Sequence, residues 1–272
     1  MVAHRPLFAL LLTALLVLVP GSSLAQKDDK PDDGQRFDVV QPELPVYGER
    51  IISYLSDVII ARDGSFEVTE TIRVNAEGNR IQRGIYRDFP TRYNNNGRRV
   101  RVGFEVRGVE RDGQAERWRT ENVGNGVRIW IGDENVMLPR GQHSYVIRFH
   151  TTRQLGFFEG YDEIYWNVTG NGWLFPIDMA EARIHLPSAR PFGQRSIYTG
   201  PAGSTDSYGE VVSERPGEIH FRTTRALGPE EGFTIAVAFP KGVVDPPPPR
   251  STSSLWLEAY GPIWAGIAAL AA

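Results

Sequence analysis

The sequence predicts an all-β protein: an antiparallel β-sandwich of about ten to twelve strands, with a signal peptide at one end and a short hydrophobic C-terminal helix at the other. Three observations carry this. Apolar and polar residues alternate with period two again and again between residues 46 and 242, the pattern of strands with one buried face. Glycine and proline are abundant, 28 and 19 among 272 residues, which multiplies turns at the expense of long helices. No stretch of helical periodicity interrupts the alternation, which runs on even through residues 180–184.

The remaining composition narrows the class. With 41% hydrophobic and 23% charged residues, the chain is an ordinary globular one rather than a disordered one. A net charge of -3 lacks the basic excess of a nucleic-acid binder. Cysteine is absent, which excludes disulfides, thiolate metal sites, cysteine nucleophiles and a lipid-bearing N-terminal cysteine.

At the start of the chain, His4 and Arg5 precede an apolar run over residues 7–19, broken by Pro20-Gly21. Ser23-Leu24-Ala25 then supplies small residues for a cleavage site. The run is about 20 Å long as a helix, too short for a hydrocarbon core of about 30 Å. Residues 1–25 are therefore expected to be a signal peptide. In residues 26–45, Asp28, Asp29, Asp32, Asp33, Asp38 and Glu43 outnumber the cations and few residues are apolar. This is expected to be a disordered acidic leader.

Residues 46–242 form the expected β-sandwich domain. Phe66, Val68, Glu70, Ile72 and Val74 alternate with Glu67, Thr69, Thr71 and Arg73. Asp63-Gly64 joins this strand to residues 51–61 by a tight hairpin turn. Val100, Val102, Phe104 and Val106 alternate next, and Asp112-Gly113 makes another turn. Further strands carry Val127, Ile129 and Ile131; Tyr145, Ile147 and Phe149; Ile164, Trp166 and Val168; and Ala182, Ile184 and Leu186. Ile219 with Phe221, then Phe233, Ile235, Val237 and Phe239, complete the series. Two antiparallel layers accommodate such a set; two smaller sandwiches divided near residues 151–160 are the alternative.

Residues 243–254 read as a proline-rich linker, with four consecutive prolines from Pro246 favouring a stiff spacer. Residues 255–272 read as the start of a truncated transmembrane helix. Trp256, Tyr260 and Trp264 suit an interfacial aromatic belt. The 14 uncharged residues from Ala259 onward amount to about 21 Å of helix, short of a full span. A hydrophobic helix packed on the domain is the plainer alternative.

Two segments are dense enough to hold function. Arg80, Arg83, Arg87, Arg92, Arg98, Arg99 and Arg101 face only Asp88 in a short stretch. Such a run attracts anionic lipid headgroups or wall polymers at about 1 kcal/mol per cation. The plainer reading is a strand edge whose guanidinium groups pair with acids on neighbouring strands, with Arg87-Asp88 holding a turn before Phe89-Pro90. The second segment, residues 155–176, sets Tyr161, Tyr165, Trp166 and Trp173 among Asp162 and Glu163. Exposed rings beside carboxylates would suit sugar stacking. Adjacent strand residues point to opposite faces, however, so these two acids do not flank one bond. Aromatic residues at alternate positions suit a core, and Asn171-Gly172 suits a turn.

Asn167-Val168-Thr169 matches a glycan acceptor by its three residues alone. His143, His150, His185 and His220 lack metal-ligand spacing, and no nucleophile elbow, phosphate loop or dinucleotide fingerprint occurs. The residues thus assign no catalytic, cofactor-binding or metal position, and the expectation is a protein that is not an enzyme. The candidate interaction surface is Arg98, Arg99, Arg101 and Trp173.

At these segments the chain resembles a known family. The run from Tyr54 through Asp63-Gly64-Ser65 to Thr69-Glu70, then Arg83-Gly84-Ile85-Tyr86-Arg87-Asp88-Phe89-Pro90, resembles the opening of the "domain of unknown function 2207" family of YciQ-like predicted membrane proteins. Asp162-Glu163-Ile164-Tyr165-Trp166-Asn167-Val168-Thr169-Gly170-Asn171-Gly172-Trp173, with Pro176, resembles its second hallmark. The resemblance implies a signal peptide, an extracytoplasmic β-domain and then membrane helices, with no established activity, cofactor or catalytic residue. The expectation is an exported β-domain anchored to the plasma membrane on the extracytoplasmic side. It would display loops or an edge strand to an envelope protein or to an anionic polymer or lipid. A carbohydrate-binding or glycoside-acting domain is an alternative that requires Trp166 or Trp173 to be exposed. A scaffold with no ligand of its own is another.

Overall fold

In a computed structural model, residues 48–95 and 98–246 are described, the side chains of residues 93–100 aside. Every regular element among them is a strand. In chain order these are β1 (Arg50–Ile60), β2 (Phe66–Ala76), β3 (Gly84–Pro90), β4 (Arg92–Asn95), β5 (Arg98–Arg101) and β6 (Gly103–Arg111). Next come β7 (Gln114–Ala115), β8 (Trp118–Val123), β9 (Gly126–Gly132), β10 (Gly141–Thr152), β11 (Leu155–Phe157) and β12 (Asp162–Asn167). The last five are β13 (Ala180–His185), β14 (Arg195–Gly200), β15 (Gly209–Arg215), β16 (Glu218–Thr223) and β17 (Gly232–Phe239). Seventeen strands exceed the expected ten to twelve. The additional ones are too short to show alternation, such as β4, β5, β7 and β11, or too exposed to carry an apolar face, such as β8 and β15.

The largest sheet has eight strands in the order β15-β16-β13-β1-β2-β10-β6-β7. A four-stranded sheet runs β11-β12-β17-β14, a three-stranded one β3-β9-β8, and β4 pairs with β5. The eight-stranded sheet packs its inner face on the four- and three-stranded sheets. Trp166 of β12 meets both Phe66 of β2 and Phe89 of β3, and Phe89 meets Phe149 of β10. Strands β13, β15 and β16 share this large sheet with β10 and β1, so no boundary between two sandwiches falls near residues 151–160. One pairing departs from the antiparallel expectation. β1 and β13 are parallel, with Tyr54 opposite Ala180 and Ile59 opposite His185. Period-two alternation is the same for both orientations, so the sequence pattern alone does not distinguish them.

The inner face of the central hairpin follows the alternation. Tyr54, Ser56, Val58 and Ile60 of β1 are buried opposite Ile72, Glu70, Val68 and Phe66 of β2. A register shift between Ile51 and Ser53 changes the parity, which lets Ile51 be buried as well. The Asp63-Gly64 turn forms as expected. Gly64 has a φ of 78°, and Asp63 Oδ1 accepts bonds from the Ser65 amide and hydroxyl at 2.9 and 2.6 Å. Asp112 and Gly113 have φ values of 52° and 77°, the positive pair a mirror-image hairpin turn demands. No helix among the described residues is long and apolar enough to cross a membrane. The expected signal peptide, acidic leader, greater part of the linker and hydrophobic C-terminal segment lie outside the described residues.

Candidate functional site

The first hallmark segment becomes β3, and its alternation divides Arg87 from Asp88. Ile85, Arg87 and Phe89 face inward, while Tyr86 and Asp88 face outward. Arg87 therefore meets Glu70, which projects from the inner face of β2. Its Nε and Nη2 donate to the two carboxylate oxygens of Glu70, both at 2.9 Å. Glu70 is fully buried and Arg87 is 3% exposed. Burial pulls the Arg87 pKa down, but the Glu70 carboxylate outweighs it and holds the guanidinium firmly charged. Tyr54, fully buried beside this pair, has its hydroxyl pKa pushed well up by burial. Asp88 pairs instead with Arg128 of β9, at 2.6 and 2.7 Å. The expected Arg87-Asp88 side-chain pair does not form, because neighbours on a strand point to opposite faces. The chain also does not turn before Phe89-Pro90; both residues complete β3.

The second hallmark segment closes over the same arginine. Arg87 Nη2 lies 3.5 Å from the Val168 carbonyl. Gly170 has a φ of 75°, and a Cβ there would stand 2.9 Å from Arg87 Nη1. Trp173 donates its indole N–H to the Thr169 carbonyl at 2.8 Å and packs edge-on against Tyr54. It is 6% exposed, so Trp173 is not part of an interaction surface; its ring packs inside, against the Tyr54 that lies beside the Glu70–Arg87 pair. Trp166 is 2% exposed and donates to Ser56 Oγ at 3.1 Å. With both indoles in the core, the sugar-stacking arrangement expected around them is absent. Asn171 bends the chain without closing a hairpin, its amide donating to the carbonyls of Gly200 and Glu230 at 3.1 and 3.3 Å.

The outer side of β12 presents a different surface. Asp162, Ile164 and Trp166 point into the core, and Glu163, Tyr165 and Asn167 point away from it. The two acids therefore diverge, as the strand geometry predicts. Asp162 is buried against Lys241, its Oδ1 accepting from Nζ at 2.6 Å. Tyr165 is 58% exposed, with its ring centroid 6.4 Å from that of Tyr198 on β14. Glu163, Tyr165, Tyr198 and Thr234 line part of an open cavity of about 1230 Å³ that also reaches Arg87, Phe89 and Trp166 at the end of the sheets. Its walls are the Leu155–Phe157 strand with Phe158 on one side and the loop over residues 200–205 on the other. Sequence reasoning missed this groove. The available signal was aromatic residues of both parities: with Trp166 facing the inner core, Tyr165 beside it faces the other side of the sheet.

Arg98, Arg99 and Arg101 lie together on β5, opposite β4 in a two-stranded hairpin. That hairpin leaves the body beside β10: the Arg101 carbonyl accepts from Arg153 Nη1 at 3.4 Å, and Gly103 pairs with Thr152. Arg101 is exposed. His143 pairs with Asp112 and His150 with Glu67, each at 2.8 Å, whereas His185 lies between Asp57 at 2.9 Å and Glu218 at 3.4 Å. Among the described residues no three metal-ligating side chains converge.

An all-β body with an open aromatic groove, in which two hallmark segments interlock on a buried ion pair, defines an all-β domain of the membrane-protein type those hallmarks signal. The chain belongs to the family described as predicted membrane protein (DUF2207), N-terminal domain, whose model matches residues 50–239. It is 28% identical over 207 residues to the uncharacterized protein YciQ of Escherichia coli (strain K12). That match covers 74% of this chain and 32% of the relative, so the chain spans about a third of the curated relative's length. Among solved structures, it is similar to native leukotriene A4 hydrolase from Saccharomyces cerevisiae, with a TM-score of 0.44 and 11% identity over 75% of this chain and 32% of that one. It is also similar to an M1 zinc metallopeptidase from Deinococcus radiodurans, with a TM-score of 0.37 and 14% identity over 70% of this chain and 42% of that one.

Proposed function

We propose that this chain is the extracytoplasmic, membrane-tethered β-domain of a DUF2207 membrane protein and that it works as an envelope binding module. Membrane association is supported by the family's description. The observation that carries it is the outer face of β12, β14 and β17. Tyr165 is exposed and Tyr198 half-buried, and both line the groove while Ile164, Trp166, Ile235 and Val237 fill the core. Clefts of hundreds of Å³ with aromatic walls and a few polar groups are where rigid scaffolds hold ligands. The arginines of β5 add a second contact for an anionic partner.

The test is photocrosslinking in the native membrane with the full chain. A photoreactive residue replaces Tyr165 or Arg101, and one at Val136, which is 55% exposed, serves as control. A discrete product from 165 or 101 that is absent from 136 supports the reading. No product from either position, or the same products from all three, leaves a scaffold without a ligand.

A further inference from the structure

We propose that the hairpin tip between β11 and β12 enters the headgroup region of the bilayer to which the chain is tethered. The tip exposes three rings in five residues: Phe157 at 38%, Phe158 at 46% and Tyr161 at 40%. Phe158 and Tyr161 stack with centroids 4.9 Å apart, and the Phe158 amide donates to the Tyr161 carbonyl at 3.0 Å. Phe158 and Tyr161 thus form a preformed aromatic pair at the tip, beside the exposed Phe157. Lys241 stands 5.7 Å from the Phe157 ring centroid while its ammonium bonds Asp162. Exposed aromatic rings are characteristic of segments that settle at the membrane–water interface, and the exposed Glu159 between Phe158 and Tyr161 keeps its carboxylate on the water side.

What identifies the occupant as lipid is where the chain leaves the body. Phe157 pairs with Asp162, and Asp162 pairs with Phe239, the last residue of β17. A few residues on, the Asp245 amide donates to the Arg62 carbonyl at 2.7 Å, at the turn between β1 and β2. The aromatic tip, that turn and the exit of the chain therefore share one end of the molecule. The β4–β5 hairpin with its arginines departs from the same end, beside Thr152 and Arg153. Between the described residues and the apolar segment that begins at Leu255 lie only residues 247–254, which reach at most about 28 Å. A tether that short brings this end, and not the opposite one, to the bilayer. The inference rests on the membrane tether of the proposed function but not on any ligand in the groove.

The chain lacks cysteine, so Phe158→Cys gives a single attachment point for an environment-sensitive fluorophore. Val136→Cys provides the control. It lies near Leu138, whose amide bonds the Gln82 carbonyl, at the end of the large sheet where Gly141 pairs with Ala76. The full chain is reconstituted into vesicles of phosphatidylethanolamine and phosphatidylglycerol and isolated by flotation. The expected result is a blue-shifted emission at 158, quenched by lipids carrying a headgroup-level quencher, with neither change at 136. Emission at 158 that matches 136 overturns the proposal. A blue shift untouched by the lipid-borne quencher also overturns it, since a second copy of the chain then covers the tip. Failure to float with the vesicles overturns the tether and the tip together, whereas flotation with an unquenched tip overturns the tip alone.

Discussion

At the scale of the residue, the Glu70–Arg87 pair governs the middle of the molecule. A buried ion pair contributes little net stability, because desolvation offsets attraction, but removing one partner strands a charge in the core. Arg87→Met should therefore destabilise the domain by about 3–5 kcal/mol, measured by urea unfolding. Adding Glu70→Leu to Arg87→Met should recover most of that loss; a double variant as unstable as the single one would show that the pair is not the cause. Glu49 makes a different prediction. Burial raises its pKa, but the amides of Glu77, Asn79, Arg80 and Ile81, which all donate to its carboxylate, more than compensate and hold it below its ordinary value of 4.5. A depressed carboxylate pKa contributes stability at neutral pH that disappears as pH falls through and below 4.5. Glu49→Gln should cost about 1–2 kcal/mol at pH 7, given its partial exposure. The gap to the parent chain should narrow as pH falls toward 3, as followed by denaturant midpoints across pH.

At the scale of the element, the ladder between β3 and β9 depends on glycine at its end. Gly84 lies opposite Gly132 with φ values of 137° and 122°, and a Cβ on Gly84 would fall 1.9 Å from the Ile131 carbonyl oxygen. Gly84→Ala should cost more than about 1 kcal/mol through backbone strain alone. Exchange of the Arg87 and Ile129 amides should rise with it; unchanged protection would mean that the ladder end relaxes freely. Elements also show what the chain makes legible. The β1–β2 hairpin and the Asp112-Gly113 turn were readable because their chemistry is local, a short polar turn between alternating runs. The strands β7 and β11 were not, since two or three residues define no period. Arg87 was misassigned to Asp88 because sequence proximity stood in for space, whereas its true partner comes from another sheet.

At the scale of the molecule, the alternation established the all-β class but not the order of strands. Hydrophobic patterning records which side chains are buried and is silent about which neighbour buries them. The same limit applies to the groove. Its lining gathers Tyr165, Tyr198 and Thr234 from three strands that are remote in sequence, and of these only Tyr165, next to Trp166, carried a local signal. Trp173 shows the converse: a ring among polar residues suggested the surface, whereas it packs against Tyr54 and bonds the Thr169 carbonyl inside.

Because β1 pairs in parallel with β13, the first of the described strands acquires one of its two neighbours only after the chain has passed His185. Until then the growing sheet presents Tyr54 to Ile59 as a row of open amides and carbonyls, a template onto which a foreign strand can add. Completion of the fold is consequently a late event governed by long-range closure, with slow kinetics to match. Any truncation upstream of Ala180 would leave that edge permanently unprotected.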